Sequence, residues 1–405
     1  MKNPFRNIGP GTLVAAAFIG PGTVTICTLA GVQFGFELLW AMGLSIIATL
    51  ILQEMAARLG LVHGKGLAAT VKAELSNPIV RSAAIILILS AILIGNAAYE
   101  AGNISGGVLG LEALISDAEV GIGGYRFNYL SLCIGVVAFA LLFIGKYKVI
   151  EKALVSLVII MSVSFLIAAV MTRPDWFQVL QSVFIPTVPS ESILMVIALV
   201  GTTVVPYNLF LHASLVHEKW KDASSLPAAR KDLYVSIVLG GFVSMAIIIC
   251  GAAIQQTNVN NAADLAVGLE PLYGSLAKYV LAIGLFAAGI TSAITAPLAA
   301  AYVAKDCFGW DGGLTSKPFR MVWMIILLLG VVFSSVGFTS IEIIKFAQVA
   351  NGLLLPIIAG FLLWVVNRKS VLGAYRNTTL QTGIGVIIVI STLILGARSL
   401  FKVFG

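Results

Sequence analysis

Two stretches of the sequence place helix breakers and hydrogen-bonding groups inside otherwise apolar runs. The first is Gly20-Pro21-Gly22, followed by Thr23 and Thr25; the second runs Gly201-Thr202-Thr203-Val204-Val205-Pro206-Tyr207-Asn208. Proline removes a backbone donor and clashes with the preceding turn, and the flanking glycines remove the steric bias toward helix. A helix broken in this way frees carbonyls and amides. Together with Thr23, Thr25, Thr202, Thr203, Tyr207 and Asn208, these groups can replace a solute's hydration shell. The chemistry on offer is binding, and the alternative is a pair of ordinary proline kinks whose freed groups are satisfied by neighbours. Two ionisable residues also fall in apolar runs, Glu100 and His212. A carboxylate at such a place is a functional candidate by default, against the plainer reading of a glutamate at the wet end of a span. His212 reads equally as a proton carrier or a neutral structural histidine. Glu54 and Arg58 stand at i, i+4, the spacing of a simple ion pair on one helix face.

The elements that hold these residues follow from composition. The chain has 405 residues, 59% hydrophobic and 11% charged, with mean hydropathy +1.02. A soluble domain carries about 25% charged residues. The apolar runs are about as long as a bilayer core requires of a helix and lack the short alternating segments of a membrane barrel. The sequence therefore predicts an all-α polytopic membrane protein. Eleven spans are expected, at about 10–33, 36–60, 79–112, 128–145, 149–171, 190–216, 233–254, 277–304, 319–337, 342–366 and 378–400. The third is long, and its C-terminal part reads as an extracellular extension. The run after Lys2 and Arg6 has the flavour of a signal peptide but no A-x-A-like cleavage site, so it counts as the first span. The connections leave no room for a soluble domain, so residues 1–405 read as one membrane domain.

Placing the N-terminus in the cytoplasm puts nineteen of the 25 Lys and Arg residues in inside segments, as the positive-inside rule requires. This places the protein in the cell (cytoplasmic) membrane, and it accounts for the net charge of +7 without a nucleic-acid partner. Cys27, Cys133, Cys250 and Cys307 show no metal-ligand spacing and read as small core residues. His63, His212 and His217 sit near the ends of spans without HExxH or GxSxG context, so no enzyme is expected, and no cofactor. Pro21 and Pro206 fall near the middle of the first helix of two five-helix blocks, about 10–171 and 190–366, with an extra helix at about 378–400. Interrupted helices at matching places in two halves point to a transporter's binding site.

At these residues the chain resembles the Nramp family of proton-coupled divalent-metal transporters. The resemblance is carried by Leu52-Gln53-Glu54-Met55-Ala56-Ala57-Arg58-Leu59-Gly60 with His63-Gly64-Lys65, by Arg173-Pro174-Asp175-Trp176, by Pro206-x-Asn208-Leu209-x-Leu211-His212, by Gly289-Ile290-Thr291-Ser292, and by Gln348, Pro356 and Asn367-Arg368-Lys369. It implies a LeuT-type fold of two inverted five-helix repeats with helices 1 and 6 broken. It also implies a divalent-cation cargo bound at Gly20, Thr23, Thr202 and Val205, and a proton route through Glu100 and His212. The wider substrate-binding set is Gly20, Gly22, Thr23, Thr202, Val205, Tyr207 and Asn208.

The departures from the family pattern fall on the metal ligands. The family's Asp-Pro-Gly-Asn is here Gly20-Pro21-Gly22-Thr23, and its Met-Pro-His is Val205-Pro206-Tyr207. A helix-ten glutamine is Leu354, and a second acid three residues before Glu100 is Ala97. The metal carboxylate and the soft thioether that favours transition metals are both missing. Three expectations remain: a divalent ion that keeps much of its water, as Mg²⁺ tends to; a small zwitterion or organic anion seated on half-helix amides; or a non-transporting membrane sensor.

Overall fold

The computed structural model describes residues 19–115, 119–122, 125–145, 148–189, 191–220, 222–255, 259–310, 315–335 and 338–404. Lys2, Arg6, Lys146 and the first part of the first expected span, 10–18, lie outside the described residues. The main helices are α1 (Pro21–Phe34), α2 (Leu39–His63), α3 (Leu67–Glu74), α4 (Pro78–Glu112), α5 (Tyr129–Ile144), α6 (Lys148–Met171), α7 (Trp176–Phe184), α8 (Ile193–Thr203), α9 (Pro206–Lys219), α10 (Leu226–Ala252), α11 (Ala277–Phe308), α12 (Lys317–Ser335), α13 (Ser340–Val366) and α14 (Thr379–Phe404). Nine helical stretches among the described residues are long and apolar enough to cross a membrane. These correspond to the second, third and fifth to eleventh expected spans. The fourth is the shorter apolar helix α5.

Local sequence sets the ends of these helices. Asn77 accepts from the amides of Ile79 and Val80, and Asn128 from Leu130. Thr339 and Glu342 cap α13 reciprocally, satisfying two donors that a helix start would otherwise orphan. Gly64 ends α2 at φ +73°, a left-handed conformation that side chains rarely tolerate.

Helix α4 is the spine of the molecule. Its C-terminal part is rich in Gly, Ala, Asn and Ser and is buried, so it is not the extracellular extension that the sequence suggests. Small residues let neighbouring backbones close in. Gly106 lies against Pro21 of α1, Gly107 against Gly289 of α11, and Gly102 against Ala347 of α13. Three large apolar clusters fill the interior, and Ile19, the residue before the first break, packs against all of them. The first break therefore sits near the centre of the core.

Two elements lie outside the expected spans. A hairpin pairs Glu119–Ile122 with Tyr125–Asn128, a small departure from an all-helical chain. Helix α7 buries Val179 and exposes Trp176, Phe177, Leu180 and Phe184, the pattern of a helix lying in the membrane interface. Of the cysteines, Cys27, Cys250 and Cys307 are buried as expected, whereas Cys133 on α5 is exposed.

The ends of the helices that carry Lys and Arg meet on one side. Lys72 donates to the Cys307 carbonyl, Ser370 bonds Glu74, and Arg320 lies over the Phe143 ring. The Glu54–Arg58 pair forms at 3.0 Å, but Glu54 also takes a two-pronged contact from Arg230 of α10 at 2.7 and 2.9 Å. Arg58 goes on to the Tyr375 carbonyl and to Asn377 Oδ1, both at 2.6 Å. One carboxylate thus joins α2, α10 and the segment before α14. Removing one partner of a buried pair strands the others' charge, at about 3–5 kcal/mol. We expect Glu54→Ala to lower the melting temperature of the detergent-purified protein by the equivalent of about 3 kcal/mol, the low end because Arg230 is 37% exposed. Adding Arg58→Met and Arg230→Met should restore most of the loss.

Candidate functional site

At the first break Gly20 is extended (φ −100°, ψ −177°), and Pro21 is the first residue of α1. At the second, α8 stops at Thr203, Val205 is extended (φ −77°, ψ 120°), and Pro206 opens α9. In both places the proline opens a helix. The contrast lies within the same chain, since Pro297 and Pro356 sit inside the continuous helices α11 and α13. The ordinary-kink reading therefore fails at the second break. At the first, the described chain shows a helix beginning at its proline.

Neither break caps itself with a side chain, because the N-cap residues are Gly20 and Val205 and neither first turn holds an acid. The first amides of a helix lack an internal partner, so two half-helices present uncapped positive ends at the core. The Val205 carbonyl takes the Asn208 amide at 3.0 Å, which satisfies one of these donors.

Helix α13 lies against both breaks. Its Gln348 side chain fills the space beside Gly22, and its backbone at Gln348 is so close to Gly201 that a methyl group there would collide with it. Asn351 Nδ2 reaches the Gly201 carbonyl at 3.5 Å. Tyr99 of α4 sets its ring edge-on to Tyr207, centroids 5.4 Å apart, with its hydroxyl turned toward the side chains of Tyr207 and Gln348. Even so, geometry leaves the Tyr207 hydroxyl, both Asn208 amide atoms, Gln348 Oε1 and Thr25 Oγ1 buried without a well-formed hydrogen bond among the described residues. Buried polar groups without partners are costly, and a cluster of them is what a binding site without its ligand leaves behind.

The expected site residues divide on inspection. Gly20, Gly22, Thr23, Tyr207 and Asn208 gather at the two breaks, and all but Gly20 and Gly22 bring buried side chains. Thr202 is buried there too, but its hydroxyl is spent on the Leu199 carbonyl at 2.7 Å. The Thr203 hydroxyl pairs with Ser45 of α2. Val205 offers only backbone. Gln348, Asn351 and Tyr99 belong to the shell but not to the expected set. A polar pair three residues apart in the apolar run of α13 is the signal that would have found the first two. Leu354 packs over Gly95 of α4, away from Gln348.

Glu100 is fully buried, so it is not a glutamate at the wet end of a span. It lies on the face of α4 next to the one bearing Tyr99, packed against Gly330 of α12. Asn103 donates to one carboxylate oxygen at 3.3 Å, and the other has no hydrogen bond among the described residues. His212, one turn beyond Asn208, is buried with Nδ1 2.9 Å from Gln53 Oε1 of α2. Among the described residues, the hydrogen bonds of these two side chains go to Asn103 and Gln53, not to either break. Among the described residues no group of three His, Cys, Asp or Glu side chains is placed to hold a metal. A cation between the breaks would meet neutral oxygens.

Known proteins of the same shape and sequence pattern set this site in context. The chain matches the family model described as natural resistance-associated macrophage protein-like over residues 11–402. It is 25% identical to the divalent metal cation transporter MntH of Caldanaerobacter subterraneus subsp. tengcongensis, covering 99% of this chain and 94% of that one. It is 26% identical to MntH of Acidiphilium cryptum, covering 100% and 92%. A crystal structure of the Eremococcus coleocola manganese transporter, in complex with an aromatic bis-isothiourea substituted compound, superposes with TM-score 0.75 at 21% identity, covering 98% of this chain and 88% of that one. That likeness gives the fold as the LeuT type, two inverted five-helix repeats with helices 1 and 6 interrupted. With a family model that spans nearly the whole sequence, the chain belongs to the Nramp family of membrane transporters.

Proposed function

We propose that the protein is a secondary active carrier that works by alternating access and holds its cargo between Gly20–Thr23 and Val204–Asn208. The observation that carries this reading is the second break, where a helix start, two uncharged polar side chains and the face of α13 converge with unpaired hydrogen-bonding atoms. The repeats are bounded at about 10–171 and 190–366 with an extra helix at 378–400, and the N-terminus and the Lys/Arg-bearing side face the cytoplasm.

The relatives named as divalent metal cation transporters supply the cargo by family. In this chain a dehydrated Mn²⁺ or Fe²⁺ would find no carboxylate and no thioether at the breaks. A divalent ion there would have to keep its water, as Mg²⁺ does. Protons are the coupling ion of this reading, carried by Glu100 and His212. Each is buried in the span, and Glu100 keeps an unpaired oxygen.

Gly20→Asp combined with Thr23→Asn should restore a metal cage on an intact scaffold. We expect saturable Mn²⁺ binding by calorimetry in the double variant and none in the native protein. Tight Mn²⁺ binding by the native chain would overturn the altered-site reading. Alternating access is tested without knowing the cargo. In a background with Cys27, Cys133, Cys250 and Cys307 replaced, Asn208→Cys should be labelled by a membrane-impermeant maleimide from either side of oriented proteoliposomes. Labelling from one side alone would argue for a protein that binds without transporting.

A further inference from the structure

The two breaks offer more than space for a cation. Helices α1 and α9, of 14 residues each, both begin there with no capping side chain and no acid in the first turn. Their dipoles place partial positive charge at the site, while α8 ends there at Thr203 with the partial negative charge of its last carbonyls. The side chains around these ends are all uncharged: Thr23, Thr25, Tyr99, Tyr207, Asn208 and Gln348. The nearest titratable side chain along α9 is His212, engaged with Gln53. Asn208, fully buried, leaves side-chain atoms of both kinds without a hydrogen bond among the described residues, Nδ2 as a donor and Oδ1 as an acceptor.

A dehydrated dication would use only acceptors and would leave the buried Asn208 Nδ2 without a partner. A simple carboxylate anion would be buried without a basic partner among the described residues, at the high cost of an unpaired charge. A solute carrying both charges and no net charge fits both the polarity and the neutrality of the shell. Resting on the reading that cargo binds between the breaks, we infer that the cargo is a small zwitterion of the α-amino-acid type. Its carboxylate lies on the first amides of α1 and α9, with the Asn208 amide as added donor. Its ammonium faces the last carbonyls of α8 and Gln348 Oε1. The close approach of Gln348 to Gly22 and of the α13 backbone to Gly201 confines the cargo to a small side chain.

The test uses the purified full chain in detergent or nanodiscs, with thermal shift followed by calorimetry. The probes are the proteinogenic amino acids, acetate, MgCl₂ and MnCl₂. We expect one or more small amino acids to raise the melting temperature saturably, and acetate and both metals to leave it unchanged. In Asn208→Leu the amino-acid Kd should rise about tenfold, the scale of losing a hydrogen bond to a charged group. Asn208→Asp, closer in shape and carrying a charge, should weaken the amino acid likewise and gain Mg²⁺ or Mn²⁺ binding. A melting transition and monodisperse elution show that each variant folds. Metal binding by the native chain that Asn208→Leu abolishes, with no amino acid bound, keeps the breaks as the site and overturns the zwitterion. Amino-acid binding that both variants leave unchanged overturns the placement at the breaks. No response to any amino acid overturns the inference outright.

Discussion

A backbone amide or carbonyl that leaves a helix inside a bilayer has no water to turn to, and the structure is organised around that constraint. Two helix starts stand in the middle of the molecule at Pro21 and Pro206, and the elements packed on them supply some of the substitute partners. The small residues of α4 let Pro21 seat directly on Gly106, and Gly201 lets the α13 backbone approach the end of α8. The Val205 carbonyl takes up the Asn208 amide. Proline at the first position of each half-helix fits the same accounting, since its missing donor is one that a helix start would have orphaned anyway.

The hydrophobic clusters explain why the breaks can persist. Val204, Val205 and Tyr207 belong to one cluster, Val24 and Leu199 to a second, and Ile19 packs against these and a third. A segment held from three sides cannot recover a continuous helix without dismantling its packing. The charged network at the Lys/Arg-bearing side has the opposite character. Glu54, Arg58 and Arg230 draw α2, α10 and the chain before α14 together.

Much of this was legible in the sequence because lipid imposes a simple grammar. Apolar run length gave the spans, Lys and Arg placement gave a consistent side, and Pro21 and Pro206 marked the breaks. What escaped is what depends on distant partners or on a double use of residue types. The length of the span that becomes α4 makes its C-terminal end read like an exposed extension, yet its small residues make close interhelical contacts. Arg230 stands 176 residues from Glu54, and no local spacing joins them. Helix α7 is too short to register as a span, and its exposed Trp176 and Phe177 gain meaning only at an interface. Gln348 and Asn351 did carry a signal, two amides one turn apart in an apolar run, whose significance depends on knowing that α13 crosses both breaks.

The separation of groups within the core bears on how such a carrier couples its steps. Tyr99 and Glu100 are adjacent in sequence, yet α4 turns them onto different faces, one toward Tyr207 and the other toward Gly330 of α12. His212 is one turn beyond Asn208 but is engaged with Gln53 of α2. The ionisable groups therefore stand one helix face or one turn away from the cargo shell, not inside it. On the proposed reading a proton held at either place would act on the cargo through the position of α4 or α9. In that reading, protonation there would bias the conformation without placing a net charge beside the cargo. On the proposed reading, glycine at position 20 in place of the family's aspartate changes what the breaks would bind and leaves unaltered the helices that carry the ionisable groups.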